Sequence, residues 1–201
     1  ENWPGTRKRK PIKLGLDNRY FEPTSLLNVT IGKNSPEIVN VVVEIPKGSH
    51  NKYEFDDKTG VFKLDRVLYP PLFYPADYGF IPQTRSRDGD HLDAVVLSDE
   101  PLISGSVVEV RPIGLLKMTD SGKEDFKILG VQDNNPNYKN IKDIKDITDE
   151  DGKILEEIAD FFRVYKKPEE KEVVIIGWEG AESAKKEIKE AQELFKAPQP
   201  L

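Results

Sequence analysis

From Val39 onward, most apolar residues fall into short runs separated by Gly, Pro or Asp. Val, Ile and aromatic residues dominate these runs, which is typical of β-strands bounded by turns. Strands at this spacing favour a barrel or a sandwich, and the pattern does not choose between the two. We predict seven short strands: Val39–Ile45, Lys52–Phe55, Val61–Leu64, Ala94–Leu97, Val107–Val110, Lys127–Val131 and Val173–Ile176.

The pattern changes to a helical period near the C-terminus. Apolar residues recur every three or four positions in Lys153–Tyr165 and in Ala181–Phe195, with charged residues between them. We therefore predict two C-terminal helices and a fold that is mainly β with α, of the α+β class. We divide the chain into an N-terminal basic extension (1–24), one main domain (25–196) and a C-terminal tail (197–201).

Composition limits the chemistry available to the chain. It has no Cys and only two His, which excludes disulfides, zinc-thiolate sites and thiol nucleophiles. A bound metal would need oxygen ligands, and these suit hard cations such as Mg²⁺, Mn²⁺ or Ca²⁺. No apolar run approaches the roughly 18 residues of a membrane span, so we predict no membrane partner.

The net charge argues against a general nucleic-acid binder. It is −6 for the whole chain, whereas such proteins carry a positive surface. Residues 1–25 hold six Lys or Arg and three acidic residues, so the remaining chain is at −9. The basic run Arg7–Lys10 can be a docking arm, a targeting remnant or a solvated extension.

Three carboxylates lie within six residues, in the segment Asp88-Gly-Asp90-His-Leu-Asp93. Such carboxylates repel one another unless a cation lies between them, and Gly89 permits the tight turn that would bring them together. A solvated acidic turn is the plain alternative. Asp120 and Asp125 form a second acidic group beside Gly122, and Glu44 adds a carboxylate on a predicted strand.

Basic and phenolic residues recur in several other short segments: Asn51–Glu54, Leu64–Arg66, Phe73–Phe80 and Phe162–Lys167. Each segment alone is unremarkable, because Lys and Arg are usually solvated and aromatic residues usually pack in the core. Together with two acidic loops, they indicate metal ions beside a basic pocket. A phosphate-rich ligand accounts for both, since metals bridge its oxygens and Lys, Arg and Tyr bind the others.

In these segments the chain resembles the soluble family I inorganic pyrophosphatases. The signature of that family is two acids around one residue, then Pro, an apolar residue and a third acid, and residues 88–93 match it except that His91 replaces the proline. Further matches run in family order through Val-Glu-Ile-Pro (43–46), Phe-Tyr-Pro-Ala-Asp-Tyr-Gly (73–79), Phe-Phe-Arg-Val-Tyr-Lys (161–166) and Gly-Trp-Glu (177–179).

The resemblance implies an OB-like five-stranded β-barrel core with two flanking C-terminal helices, and it makes residues 25–196 the pyrophosphatase domain. It implies hydrolysis of pyrophosphate to two phosphates by a metal-activated water, with Asp90 as the general base. The metal ligands it implies are Asp88, Asp93, Asp120 and Asp125, with Glu44 acting through water. The implied phosphate contacts are Lys52, Arg66, Tyr78, Lys127, Tyr165 and Lys166, with Glu54 and Tyr74 in support and Lys171 if one residue is deleted before Gly177.

Cofactor and partners follow from the same resemblance: several Mg²⁺ ions, with Mn²⁺ or another divalent ion as alternatives, and a homohexamer. Because the sequence shows no clear targeting signal, we expect a cytoplasmic location. The other hypotheses are an OB-type nucleic-acid module, a catalytically weak member that senses phosphate or metal, and a related hydrolase of nucleotides or polyphosphate. The loop at His91 lacks the fixed φ that proline would give it.

Overall fold

The computed structural model describes residues 26–69, 72–147 and 153–197 of the chain. The predicted extension 1–24 and the last four residues of the predicted tail lie outside the described residues. The strands are β1 (Val39–Ile45), β2 (Asn51–Asp56), β3 (Val61–Val67), β4 (Asp77–Ile81), β5 (Leu92–Leu97), β6 (Val107–Asp120), β7 (Lys123–Glu124), β8 (Lys127–Gln132) and β9 (Val173–Gly180). The helices are α1 (Lys153–Val164) and α2 (Ala181–Lys196), and short 3-10 turns occupy Leu26–Asn28, Pro136–Tyr138, Ile144–Asp146 and Lys167–Glu169.

Five strands form a closed ring, which confirms the OB-like core. Their order is β1, β4, β5, β8 and β6, and β6 pairs again with β1 to close the ring. The β5–β8 pair is parallel, and the other pairs of the ring are antiparallel. Outside the ring, β7 and β9 pair with the long strand β6, while β2 and β3 form a separate hairpin.

Both faces of the ring strands are covered. On β5, Val95 belongs to the apolar cluster that includes Phe161 and Phe162 of α1. Its neighbours Ala94 and Val96 belong to the cluster that includes Ile188 of α2. Successive strand residues point to opposite faces, so one strand contributes to both clusters and the helices cover opposite faces. Neither described helix is long and apolar enough to cross a membrane.

The prediction of two helices is confirmed, and the strand predictions were incomplete. The strand β4 was missed because all five of its residues are buried and show no alternation of apolar and polar positions, and the two-residue strand β7 was missed because of its length. Strand β6 runs on to Asp120 instead of ending at Val110. The predicted apolar face of α2 is buried at Ala184, Ile188 and Ala191, whereas Phe195 stays 39% exposed.

Candidate active site

One cavity of about 470 Å³ lies between the ring, the β2–β3 hairpin and the segment after α1. Its lining carries both carboxylates and ammonium groups. Twelve of the fourteen predicted site residues line it: Glu44, Lys52, Glu54, Tyr78, Asp88, Asp90, Asp93, Asp120, Asp125, Lys127, Tyr165 and Lys166. The structure therefore brings together residues that are up to 122 positions apart in the chain.

The loop before β5 holds Asp88 and Asp90 at the cavity. Gly89 has a φ of +103°, a conformation that glycine adopts without steric cost. The amide of Ser86 donates to the carbonyl oxygen of Asp90 at 2.7 Å, and the amide of Asp90 donates to Asp88 Oδ1 at 3.1 Å. These bonds close the loop on itself and leave the Asp90 carboxylate free to face the cavity.

The environment of Asp90 suits a group that takes up a proton. Partial burial raises the pKa of Asp90, and the negative charges of Asp88, Asp93 and Glu54 raise it further. A base with a pKa nearer to neutral accepts a proton more effectively than an ordinary, more acidic carboxylate.

Lys127 is the buried cation of the site. It lies at the start of β8, directly opposite Asp93 of the parallel strand β5, and only 2% of its side chain is exposed. Its Nζ donates to Asp93 Oδ2 at 2.5 Å and also to Asp125. Burial alone would lower the pKa of Lys127, but the charges of Asp93 and Asp125 outweigh it and raise the pKa. The lysine is therefore held in its charged form.

Asp120 is the last residue of β6, not a loop residue as predicted. Ser121 and Gly122 both have positive φ, the requirement of a tight two-residue hairpin turn, and β7 follows directly. Lys166 donates to Asp120, and the Ser121 hydroxyl donates to it at 3.0 Å. Burial would raise the pKa of Asp120, but these hydrogen bonds and the charges of Lys166 and Lys171 lower it overall.

Glu44 differs from the other carboxylates of the cavity. Its neighbours Val43 and Ile45 are fully buried in the core, whereas Glu44 lies in a β-bulge between them, without a register partner on β4, and lines the cavity. Its Oε1 accepts a hydrogen bond from the amide of Phe55 at 2.8 Å. Burial nevertheless raises the pKa of Glu44 to about 8, and the nearby charge of Asp93 adds to this effect.

Three buried phenols support the floor of the cavity. Tyr78 and Tyr165 line it, and burial raises the pKa of both, so they remain protonated hydrogen-bond donors. Tyr74 does not line the cavity. It packs against Tyr78 and Phe161, with ring centroids 5.6 and 4.7 Å away. The supporting role that the resemblance implies for Tyr74 stays a prediction.

The β2–β3 hairpin carries two further predicted cations, Lys52 and Arg66. Lys52 lines the cavity, donates to Glu54 and lies 3.1 Å from Asp65 Oδ2. Arg66 does not line the cavity: its guanidinium nitrogens lie 2.7 Å from Asp65 Oδ2 and 2.7 Å from Glu169 Oε1. Lys171 is also outside the lining, with its Nζ 3.2 Å from Glu169 Oε2.

Several residues of the cavity were missed from the sequence. Four aromatic side chains line one part of the cavity: Phe55, Phe80, His91 and Phe195. Thr84, at the base of the acidic loop, is only 1% exposed. Asp65 was not among the predicted site residues, although it contacts both Lys52 and Arg66. Its place directly before Arg66 was the available signal.

Comparisons with known proteins agree with one another. A family model described as inorganic pyrophosphatase matches residues 41–196. The chain is 45% identical to an inorganic pyrophosphatase of Nostoc sp. over 161 residues, which are 80% of this chain and 94% of that protein. It is 47% identical to one from Geobacillus stearothermophilus over 154 residues, which are 77% and 92% of the two chains. The crystal structure of inorganic pyrophosphatase from Thermus thermophilus superposes with a TM-score of 0.81 at 42% identity, covering 86% of this chain and 99% of that one.

Proposed function

Since the chain belongs to the inorganic pyrophosphatase family and is an enzyme that hydrolyses pyrophosphate, we propose that it does so with Mg²⁺ and by direct attack of water. The observation that carries this proposal is the lining of one cavity, where nine carboxylates face four lysines, one arginine and three phenols. A pyrophosphate anion needs cations and hydrogen-bond donors around it, and a divalent ion needs carboxylates. The cavity offers both sets.

The residues present fit a hard divalent cation. The nine carboxylates of the lining offer only oxygen ligands, which Mg²⁺ and Mn²⁺ prefer. Burial and the charge of Asp93 hold the pKa of Glu44 at about 8, so its charged form needs a further cation nearby. Among the described residues, no three acidic or histidine side chains are already gathered around a single point. Instead, Lys127 and Lys166 contact three of the carboxylates.

We propose that Asp88, Asp93, Asp120 and Asp125 hold the metal ions directly and that Glu44 acts through water. Bound Mg²⁺ supplies charge neutralisation for the phosphates and lowers the pKa of an attacking water. Strand backbone fixes the positions of two of these carboxylates: Asp93 lies in β5, and Asp120 is the last residue of β6.

In the same proposal, Asp90 takes the proton of the attacking water onto its carboxylate. Its raised pKa supports this role. Lys52, Lys127, Lys166, Tyr78 and Tyr165 donate to phosphate oxygens and hold the two phosphoryl groups in position, which is the main requirement of phosphoryl transfer. Arg66 joins these donors from outside the lining, and Glu54 and Tyr74 keep their supporting roles.

The wider setting is also a proposal. We propose that residues 25–196 form the catalytic domain, that the enzyme is a homohexamer, and that it acts in the cytoplasm. Light scattering coupled to size-exclusion chromatography measures the number of subunits in the assembly. Fractionation of the source cells tests the location.

The substrate and metal are tested together by phosphate release. Purified protein is stripped with EDTA and assayed with pyrophosphate, tripolyphosphate and ATP, each with no metal, Mg²⁺ or Mn²⁺. We expect rapid release from pyrophosphate only when a divalent ion is restored. Faster release from ATP or tripolyphosphate would assign the cavity to a related hydrolase, and full activity in EDTA would refute the metal requirement.

A further inference from the structure

His91 makes three contacts that tie separate parts of the site together. Its Nδ1 donates to the carbonyl oxygen of Thr84 at 3.0 Å, because a carbonyl oxygen can only accept. Its ring stacks on Phe80 with centroids 4.8 Å apart and planes 13° apart. Its Nε2 lies 3.3 Å from Oδ2 of Asp57.

The first contact closes the loop that carries Asp90. Thr84 and His91 stand at the two ends of this loop, and the Thr84 hydroxyl also accepts a hydrogen bond from the amide of Leu92 at 2.9 Å. Thr84 is buried, so packing holds it in place as an anchor for the end of the loop. A proline at position 91 would restrict the same end of the loop through its fixed φ. In this chain, a side-chain hydrogen bond and a ring stack restrict it instead.

The contact with Asp57 joins the acidic loop to the β2–β3 hairpin. Asp57 lies in the turn between β2 and β3, and the same hairpin carries Lys52 and Glu54. The hairpin pairs only within itself and is not part of the ring. Phe55 of the hairpin also stacks on Phe80 at 5.8 Å, so His91 and Phe55 contact the same ring of β4. A proline could make neither the Asp57 contact nor this aromatic stack.

We propose that His91 is a positioning residue that both fixes the Asp90 loop and holds the β2–β3 hairpin over the cavity. This inference rests on the proposed function and deepens it. The two roles are separable. The Thr84 bond orients Asp90 and acts on kcat, while the Asp57 contact places Lys52 and acts on the KM for pyrophosphate.

The test compares His91→Phe, His91→Pro and Asp57→Ala with the wild type, using pyrophosphate and Mg²⁺. His91→Phe keeps a ring for Phe80 and loses both nitrogen contacts, so we expect kcat to fall and KM to rise, each by about threefold to tenfold, the effect of one hydrogen bond. His91→Pro restores kcat but keeps the raised KM. Asp57→Ala raises KM alone, and Lys58→Ala at the next exposed turn position is the matched control.

A second readout does not depend on catalysis. Hydrogen exchange of the segment 51–67 should be faster in His91→Phe and in Asp57→Ala than in the wild type, and unchanged in Lys58→Ala. If the wild type hydrolyses no pyrophosphate, the proposed function fails, while the exchange data still test the contact. Wild-type kcat, KM and exchange in His91→Phe would overturn the inference. So would a loss of thermal stability with unchanged KM and exchange, which is the result of a purely structural role. If His91→Phe does not fold, Asp57→Ala decides the hairpin role.

Discussion

Replacing Lys127 by Met removes the cation between two carboxylates without greatly changing side-chain volume. The Nζ contacts both Asp93 and Asp125, and the side chain is 2% exposed. Removing one partner of a buried ion pair costs about 3–5 kcal/mol, because the remaining charge is left without compensation. We therefore expect Lys127→Met to lose about 3–5 kcal/mol of unfolding free energy in EDTA. Mg²⁺ should restore part of the loss, since the same two carboxylates are its proposed ligands.

Urea unfolding followed by circular dichroism measures this effect, in EDTA and in Mg²⁺. Lys117→Met is the matched control: this lysine pairs with Glu179 at 3.1 Å on the surface, with 32% and 42% of the two side chains exposed. An exposed pair contributes about 0–1 kcal/mol, so the control should unfold nearly as the wild type does. Wild-type stability of Lys127→Met in EDTA would refute the buried ion-pair reasoning. A greater loss in Mg²⁺ than in EDTA would refute the assignment of Asp93 and Asp125 as ligands.

Three further changes test other parts of the structure. Burial raises the folded-state pKa of Glu44 to about 8 from 4.5, so ionisation of this carboxyl group favours the unfolded chain. The unfolding free energy of the wild type in EDTA should therefore fall by up to about 4 kcal/mol between about pH 5 and 8. Glu44→Gln should not show this fall when urea unfolding is repeated across the same pH range. Asp77→Ala should lower the unfolding free energy measured in urea by about 3 kcal/mol. The buried carboxylate accepts hydrogen bonds from the amides of Lys47 at 2.8 Å and Leu102 at 3.0 Å, and both amides would be left unpaired. An unchanged urea midpoint would contradict this. Arg66→Gln should raise the KM for pyrophosphate about tenfold with little change in kcat, and an unchanged KM in steady-state kinetics would remove Arg66 from the phosphate contacts.

The predictability of the fold depended on how local each feature is. The strand β1 was predicted from its run of β-branched residues, and both helices were predicted from their apolar periods. The strand β4 was missed because all five of its residues are buried, so it shows no alternation of apolar and polar positions. The choice of a ring over a sandwich depends on the pairing of β6 with β1. That pairing joins distant residues, and the resemblance to a known family, not the periodicity, predicted it.

The same distinction applies to the site. Asp88, Asp90 and Asp93 were visible because three carboxylates crowd into six residues. The burial of Lys127 was not visible, because it arises from the parallel pairing of β5 with β8. The contact of His91 with Asp57 was also hidden, since it joins the acidic loop to a hairpin turn 34 residues earlier. The sequence showed only that a proline was replaced.

The role of Asp90 is the central claim, and phosphate release by Asp90→Asn tests it most directly. The assay uses pyrophosphate and Mg²⁺ and compares the wild type, this variant and the matched control Asp99→Asn. Asp99 is an exposed carboxylate that accepts hydrogen bonds from Asn135 and Asn137, away from the cavity. General-base catalysis contributes about 10²- to 10⁴-fold, so kcat should fall by at least about 100-fold in Asp90→Asn and stay near the wild-type value in Asp99→Asn. A kcat in Asp90→Asn within a few-fold of the wild type would contradict the assignment of Asp90 as the base.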